Sequence, residues 1–175
     1  MRRLVLVYFA FALCFMGIDA TAADQYGEWV LEQPRPMVFT LSFKQSLPQG
    51  GRVFTSELGF VCNGGAILIP FEGKFQNSQA IIPLVIQKDS NQYDPSDLLQ
   101  HWQNAGDYIF VQSKDEVDEL ASYLKAREAE GAKSVDLYFP NDLDAGPQIA
   151  NHIAVKLSGF SEGFEALQKS CTAEH

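Results

Sequence analysis

The pattern that most constrains the fold is an alternation of apolar and polar side chains in the first half of the chain. The apolar residues of two successive stretches are Met37, Phe39, Leu41 and Phe43, then Phe54, Leu58, Phe60 and Cys62. Successive side chains of a strand point to opposite faces, so this spacing predicts strands that bury one face. Asn63-Gly64 follows and favours a tight hairpin, because both residues tolerate positive φ. Consecutive strands with short turns predict an antiparallel sheet.

Further along, the chain mixes strands with helices. Pro83 lies in an apolar run at 80–86 and restricts that predicted strand to an edge or a bulge, because proline lacks an N–H. Ser113 and Glu116 have the spacing of a capping box, which starts a predicted helix that ends near Gly131. The other predicted elements are strands at 66–71, 108–111, 135–139 and 149–157, a short helical stretch at 98–103 and a C-terminal helix at 161–171.

Together these patterns predict a mostly β fold with added α-structure. We expect an antiparallel β-sandwich with a helix around 114–130 and a C-terminal helix packed on the sheet. No repeat or long linker divides the sequence, so residues 23–175 are expected to form one β-rich domain, a size that supports a substantial core.

The first residues predict export. Arg2 and Arg3 precede an apolar run from Leu4 to Ile18, and Ala20-Thr21-Ala22 has the small-x-small form of a processing site. This order indicates a cleaved signal peptide over 1–22 rather than a membrane anchor, since the apolar run is shorter than the ~20 residues of a stable span. We therefore expect a periplasmic or secreted protein without a membrane span after cleavage.

Two cysteines remain after the predicted cleavage, Cys62 and Cys171. In an oxidising compartment a single pair is most simply one disulfide. Phe164, Leu167 and Cys171 share one face of the predicted last helix, which directs the sulfur toward the sheet that holds Cys62. Two free thiols or an intermolecular bridge are the alternatives. No further Cys or His lies near enough to complete a zinc site, so no metal is expected.

Charge limits the classes of partner. The chain has a net charge of −9, and loss of Arg2, Arg3 and Asp19 with the signal leaves 11 basic against 21 acidic side chains. Such an acidic chain repels nucleic acid and anionic lipid, so neither is expected as a partner. The charge keeps an exported domain soluble, or it attracts a basic protein.

The sequence contains no recognisable catalytic motif. It has no G-x-S-x-G elbow, H-E-x-x-H pair, phosphate-binding loop or G-x-G-x-x-G, and the histidines His101, His152 and His175 are scattered. We expect a protein that is not an enzyme and that binds no cofactor. Trp29 and Trp102 are candidate contact residues for a sugar or protein, although large aromatic residues are more often packed in a core.

The sequence resembles the type VI secretion accessory proteins called VasI or TagO. The resemblance lies in Gly27-Glu28-Trp29-Val30, in Leu58 to Asn63, in Trp102 and in the ending Val155 to Phe160 with Leu167 and Cys171. The ending is also similar to that of the invasion-associated locus B family. These resemblances imply a non-catalytic β-sandwich with helices at one side that acts through protein contacts. The chain departs from the first family in having Gly59-Phe60-Val61 before Cys62, where that family tends to have an arginine.

Two functions follow as hypotheses. The first is a periplasmic or secreted binding or accessory protein of an envelope secretion system or a host interaction, with a protein partner. The alternative is an inhibitor or immunity protein against a cell-wall-degrading enzyme, because lysozyme-like enzymes are commonly basic.

Overall fold

The computed structural model describes residues 23–35, 37–62, 64–70, 74–75, 81–89, 92–138, 143–144 and 152–173. The predicted signal peptide at 1–22, Asn63 of the predicted hairpin and His175 lie outside these residues. The strands are β1 (Asp24–Tyr26), β2 (Trp29–Arg35), β3 (Val38–Gln49), β4 (Arg52–Val61), β5 (Gly65–Ile69), β6 (Lys74–Phe75), β7 (Ile81–Asp89), β8 (Gln92–Asn104), β9 (Ile109–Val111), β10 (Ser134–Tyr138), β11 (Leu143–Asp144) and β12 (His152–Lys156), and the helices are α1 (Lys114–Ala129) and α2 (Phe160–Thr172).

Ten of these strands form one antiparallel sheet, in the order β1-β2-β3-β4-β5-β9-β8-β7-β10-β12, and β6 pairs with β11 separately. The first five strands are neighbours in chain order, as the alternation predicts. In the β3–β4 pairing Leu41 lies opposite Phe60, and Phe43 lies opposite Leu58. All four side chains are buried, so the alternating residues form one apolar face of the sheet.

The two ends of the sheet approach each other without a strand pairing. The Glu28 N–H donates to the Ser158 carbonyl oxygen at 3.0 Å. The Ala154 N–H donates to Gln45 Oε1 at 2.9 Å, so a side-chain amide satisfies the backbone at the free edge of β12. The sheet therefore folds back over its own apolar face, and the predicted antiparallel β-sandwich with two helices is confirmed.

Helix α1 begins where the capping box predicts. The Ser113 hydroxyl accepts the Glu116 N–H at 3.5 Å, and the helix buries an apolar face of Val117, Leu120, Ala121 and Leu124. The predicted end is confirmed to within two residues, because the last helical residue is Ala129 and Gly131 has a φ of 82°.

Helix α2 packs on the sheet and is positioned at its start by α1. The Glu128 carboxylate accepts the N–H groups of Gly159 and Ser161, each at 2.8 Å, and the Ser161 hydroxyl at 2.5 Å. A Cβ on Gly159 would lie 2.4 Å from the Tyr26 carbonyl oxygen, and its φ is 82°. Glycine therefore permits the close contact between this helix start and β1.

One predicted element is wrong and another is confirmed in detail. The stretch at 98–103 is not a helix but part of β8, which pairs with β7 on one side and β9 on the other. Six residues are too few for a helix to persist without tertiary support, and the sheet provides partners for both backbone edges. The strand containing Pro83 is β7, and its pairing with β8 shifts between Ile82 and Leu84, which is the predicted irregularity.

Candidate functional site

The disulfide lies at one end of the sandwich. Cys62 and Cys171 are bonded, with Cα atoms 5.5 Å apart and a sequence separation of 109. The bond joins the residue after β4 to the last turn of α2, and both cysteines are half-buried. The predicted intramolecular pairing is confirmed.

Trp29 lies in the core and is fully buried. Its ring centroid lies 4.8 Å from that of Phe160 and 5.6 Å from that of Phe43. Its indole N–H donates to the carbonyl oxygen of Lys156 at 2.8 Å. This side chain therefore joins β2 to the free edge of β12, and its ring is not available as a surface contact.

Trp102 is also fully buried, in β8. Its Nε1 has no acceptor among the described residues. The core packing that large aromatic residues more often adopt is therefore what the structure shows for both tryptophans, and neither ring is exposed at the surface. The physical reason is that the alternating faces of β2 and β8 direct both rings into the sandwich.

A groove opens beside the disulfide, between α1, α2 and the end of β4. It encloses about 500 Å³ and is lined by Phe60, Val61, Cys62, Gly64, Lys114, Val117, Asp118, Phe164, Leu167, Gln168, Cys171 and Thr172. Its floor is apolar, since Phe60, Val117, Phe164 and Leu167 are all buried core residues. The disulfide forms part of its wall.

The rim of the groove is polar. Gln168 and Thr172 of α2 are exposed, and Lys114 forms an ion pair with Asp118 one turn further along α1. The hydrogen bond from the ammonium to Asp118, together with the charge of that carboxylate, raises the pKa of Lys114 above its ordinary value. Asp115, the next residue of α1, is exposed and adds a negative charge near this rim.

A second, smaller recess of about 280 Å³ lies on the outer face of the sheet. It is lined by Val61, Gly65, Ala66, Ile67, Tyr108, Phe110, Val111 and Gln112, none of which is charged. Ile67 and Phe110 are opposite each other in the β5–β9 pairing. The recess is a shallow apolar surface, with the exposed Tyr108 at its edge.

The two histidines in the described part of the chain do not assemble a site. His101 pairs with Glu116, and His152 stacks on Tyr138 with ring centroids 5.1 Å apart. Across the described ranges there is no cluster of three or more side chains suited to hold a metal ion. Within that same part of the chain, no helix is both long and apolar enough to cross a membrane.

Sequence reasoning located one side of the groove but not the groove itself. The shared helix face of Phe164, Leu167 and Cys171 was predicted, and these residues line it. Lys114 and Asp118 lie within the helix predicted around 114–130, but their spacing gives no sign that they border a groove. The separation of α1 from α2 at this end is a tertiary feature with no local signal.

Comparison with known proteins gives one structural likeness. No family model matches the chain, and no curated protein matches it. Among solved structures, the chain is similar to the crystal structure of invasion associated protein B from Bartonella henselae, with 18% sequence identity, a TM-score of 0.49, and coverage of 85% of this chain and 97% of that chain. The resemblance to the type VI accessory family stays a prediction.

Proposed function

We propose that this protein is an exported, non-catalytic binding or accessory domain that contacts a partner protein through the groove beside the disulfide. The observation that carries the proposal is the combination of an apolar floor with a polar rim. Protein interfaces have this anatomy, in which a desolvated apolar centre is surrounded by polar residues that stay in contact with water. A space of about 500 Å³ accommodates an apolar side chain of the partner as an anchor.

The lining favours binding over catalysis. The titratable side chains among its residues are Lys114 and Asp118, apart from the bonded cysteines, and these two pair with each other. A general acid or base must be free to exchange a proton with a substrate, and a nucleophile needs a base beside it. Neither arrangement is present in the described lining.

The disulfide supports the proposed compartment. Structural disulfides persist in oxidising environments such as the periplasm or the exterior of the cell, which agrees with the signal peptide predicted at 1–22. A role in an envelope secretion system or in a host interaction is the finer form of this proposal. It is motivated by the sequence resemblances described above.

The test is to fill the groove and to compare partner capture. Gln168→Trp places a large ring at the rim, whereas Lys169→Trp places the same ring at an adjacent exposed position that does not line the groove. Both variants are expected to fold, because both positions are exposed. After crosslinking in the periplasm or with candidate host proteins, the wild type and Lys169→Trp should capture the same protein, and Gln168→Trp should lose it. Equal capture by both variants, or no partner with the wild type, contradicts the proposal.

A second candidate is an inhibitor of a basic cell-wall-degrading enzyme. It is favoured by the net charge of −9 and by exposed carboxylates on α1, including Asp115 and Glu119. Electrostatic attraction would speed its association with such an enzyme. A turbidity assay with a panel of muramidases and amidases tests it, and unchanged lysis at excess protein would exclude this candidate for that panel.

A further inference from the structure

The disulfide can be reached from solvent through the groove. Cys62 and Cys171 both line the groove, and both are half-buried rather than enclosed in the core. Thiol–disulfide exchange requires that an attacking thiolate reaches a sulfur, and accessible disulfides are reduced more easily than enclosed ones. The bond therefore lies where a reductant can attack it while the domain stays folded.

The first turns of α2 are held in place without the disulfide. Glu128 of α1 accepts the hydrogen bonds at the start of the helix. Phe160 and Phe164 are buried, and their ring centroids lie 5.5 and 5.4 Å from that of Phe60. Leu167 is the last buried residue of the helix. These contacts fix α2 up to Leu167 whether the cysteines are oxidised or reduced.

The end of α2 depends on the disulfide for its attachment. Of residues 168–173, Ser170 and Cys171 are half-buried and the others are exposed. The hydroxyls of Ser170 and Thr172 donate to carbonyl oxygens of the helix itself. Within the described part of the chain, no hydrogen bond or ion pair joins 168–173 to another element. Without the bond to Cys62, only the partial packing of Cys171 opposes fraying of this helix end.

We propose that the disulfide is a redox-sensitive device that controls the groove. The oxidised protein holds the groove in its binding form, and reduction by a dithiol oxidoreductase releases the wall that α2 contributes. Gln168, Cys171 and Thr172 belong to this wall and lie in the segment that the bond attaches. The inference rests on the proposed function for the groove as a protein-contact surface, and it adds the regulation of that surface.

The exchange needs only the dithiol as a co-reactant. One thiolate of the reductant attacks a sulfur of the bridge, the S–S bond breaks, and its electron pair leaves on the other sulfur, which takes up a proton. The second thiolate of the reductant then attacks the mixed disulfide and releases the remaining cysteine as a thiolate, which is protonated in turn. Cys62 and Cys171 together gain two electrons and two protons, and the reductant is oxidised to its own disulfide.

The first measurement needs no partner protein. The oxidised protein is incubated without denaturant, either with reduced thioredoxin as a protein dithiol or with dithiothreitol. Alkylation and mass spectrometry should then find both thiols, and the far-UV circular dichroism should be retained. Hydrogen exchange at the amides of 169–173 should accelerate at least about tenfold, because this helix end loses its attachment.

Leu84→Ala, kept oxidised, is the matched control for a general loss of stability. Leu84 is fully buried in β7 and does not line the groove. Its truncation destabilises the domain by an amount comparable to the loss of the bond, but it leaves the bond in place. The amides of 169–173 should therefore exchange in this variant as they do in the oxidised wild type.

The second measurement is partner capture by crosslinking. The oxidised wild type and oxidised Leu84→Ala should capture the same protein. A variant with Cys62→Ser and Cys171→Ser should capture at least about tenfold less of it, because its groove is no longer preorganised.

Four results overturn the inference. They are a bond that both dithiols reduce only in the unfolded protein, unchanged exchange at 169–173 after reduction, full capture by the cysteine variant, and equal acceleration of exchange in oxidised Leu84→Ala. If the oxidised wild type captures no protein, the proposed function is contradicted, and the exchange data alone decide whether the bond fixes the end of α2.

Discussion

The hydrogen bond from the Trp29 indole to β12 should stabilise the sandwich measurably, and Trp29→Phe tests it. The indole N–H satisfies the Lys156 carbonyl oxygen at 2.8 Å, at an edge of the sheet where no further strand pairs among the described residues. Phenylalanine keeps an aromatic ring in the core but cannot donate this bond. The matched control is Trp102→Phe, because that tryptophan is equally buried and its Nε1 has no acceptor among the described residues.

The expected magnitude follows from the difference between these two sites. Both substitutions remove the same atoms from a fully buried position, so their loss of apolar burial and their cavity costs are similar. Trp29→Phe also leaves a carbonyl without its partner, which costs about 1–3 kcal/mol. Trp102→Phe removes a donor that had no partner, which costs no hydrogen bond and recovers some desolvation energy. We therefore expect Trp29→Phe to be the more destabilising substitution by about 2 kcal/mol.

The measurement is the free energy of unfolding from guanidinium titrations, with thermal melts as a second readout. For a protein of this size a difference of 2 kcal/mol corresponds to about 4–8 °C in Tm. The reasoning is refuted if Trp102→Phe destabilises the protein as much as Trp29→Phe or more. In that case the hydrogen bond to β12 contributes nothing that the packing of the ring does not already provide.

Two further predictions concern the interactions that hold α2 in place, namely the disulfide and the hydrogen bonds of Glu128. Replacing Cys62 and Cys171 together by serine should lower the free energy of unfolding by about 4–5 kcal/mol, because the loop that the disulfide closes is long. Guanidinium titration of the double variant and of the oxidised wild type measures this difference. A loss below about 1 kcal/mol would contradict the argument from loop-closure entropy. Glu128→Gln should lower the free energy of unfolding by about 1–3 kcal/mol. The carboxylate accepts two backbone N–H groups at the start of α2, and its negative charge also interacts favourably with the helix dipole there. Glu130→Gln is the control, because Glu130 is exposed and forms its ion pair with Arg127 on the surface of α1. The same titration should show a change in the free energy of unfolding of about 0.5 kcal/mol or less.

Much of the fold was predictable because its signals are local. The alternation of Leu41 and Phe43 with polar residues identified β3, and the spacing of Ser113 and Glu116 identified the start of α1. The disulfide could also be inferred, because Cys171 shares a helix face with residues that must be buried. Each of these inferences uses neighbours within two turns of one helix or a few residues of one strand.

The errors occurred where a distant part of the chain decides the outcome. Residues 98–103 form part of a strand because β7 and β9 supply hydrogen-bond partners on both sides, and no pattern within the segment records those partners. Trp29 and Trp102 looked alike in sequence, yet one donates a hydrogen bond across the sandwich and the other has no acceptor in the described residues.

The sequence by itself indicated the alternating faces of the first strands, the start of α1 and the simplest pairing of the two cysteines, since these depend on side-chain polarity and on spacing along the chain. Only the tertiary structure decided that the sheet folds back until β12 approaches β3, and that α1 and α2 leave an apolar groove beside the disulfide. The physical reason is that these features arise from the packing of whole elements against one another, and such packing is set by long-range contacts rather than by any local pattern.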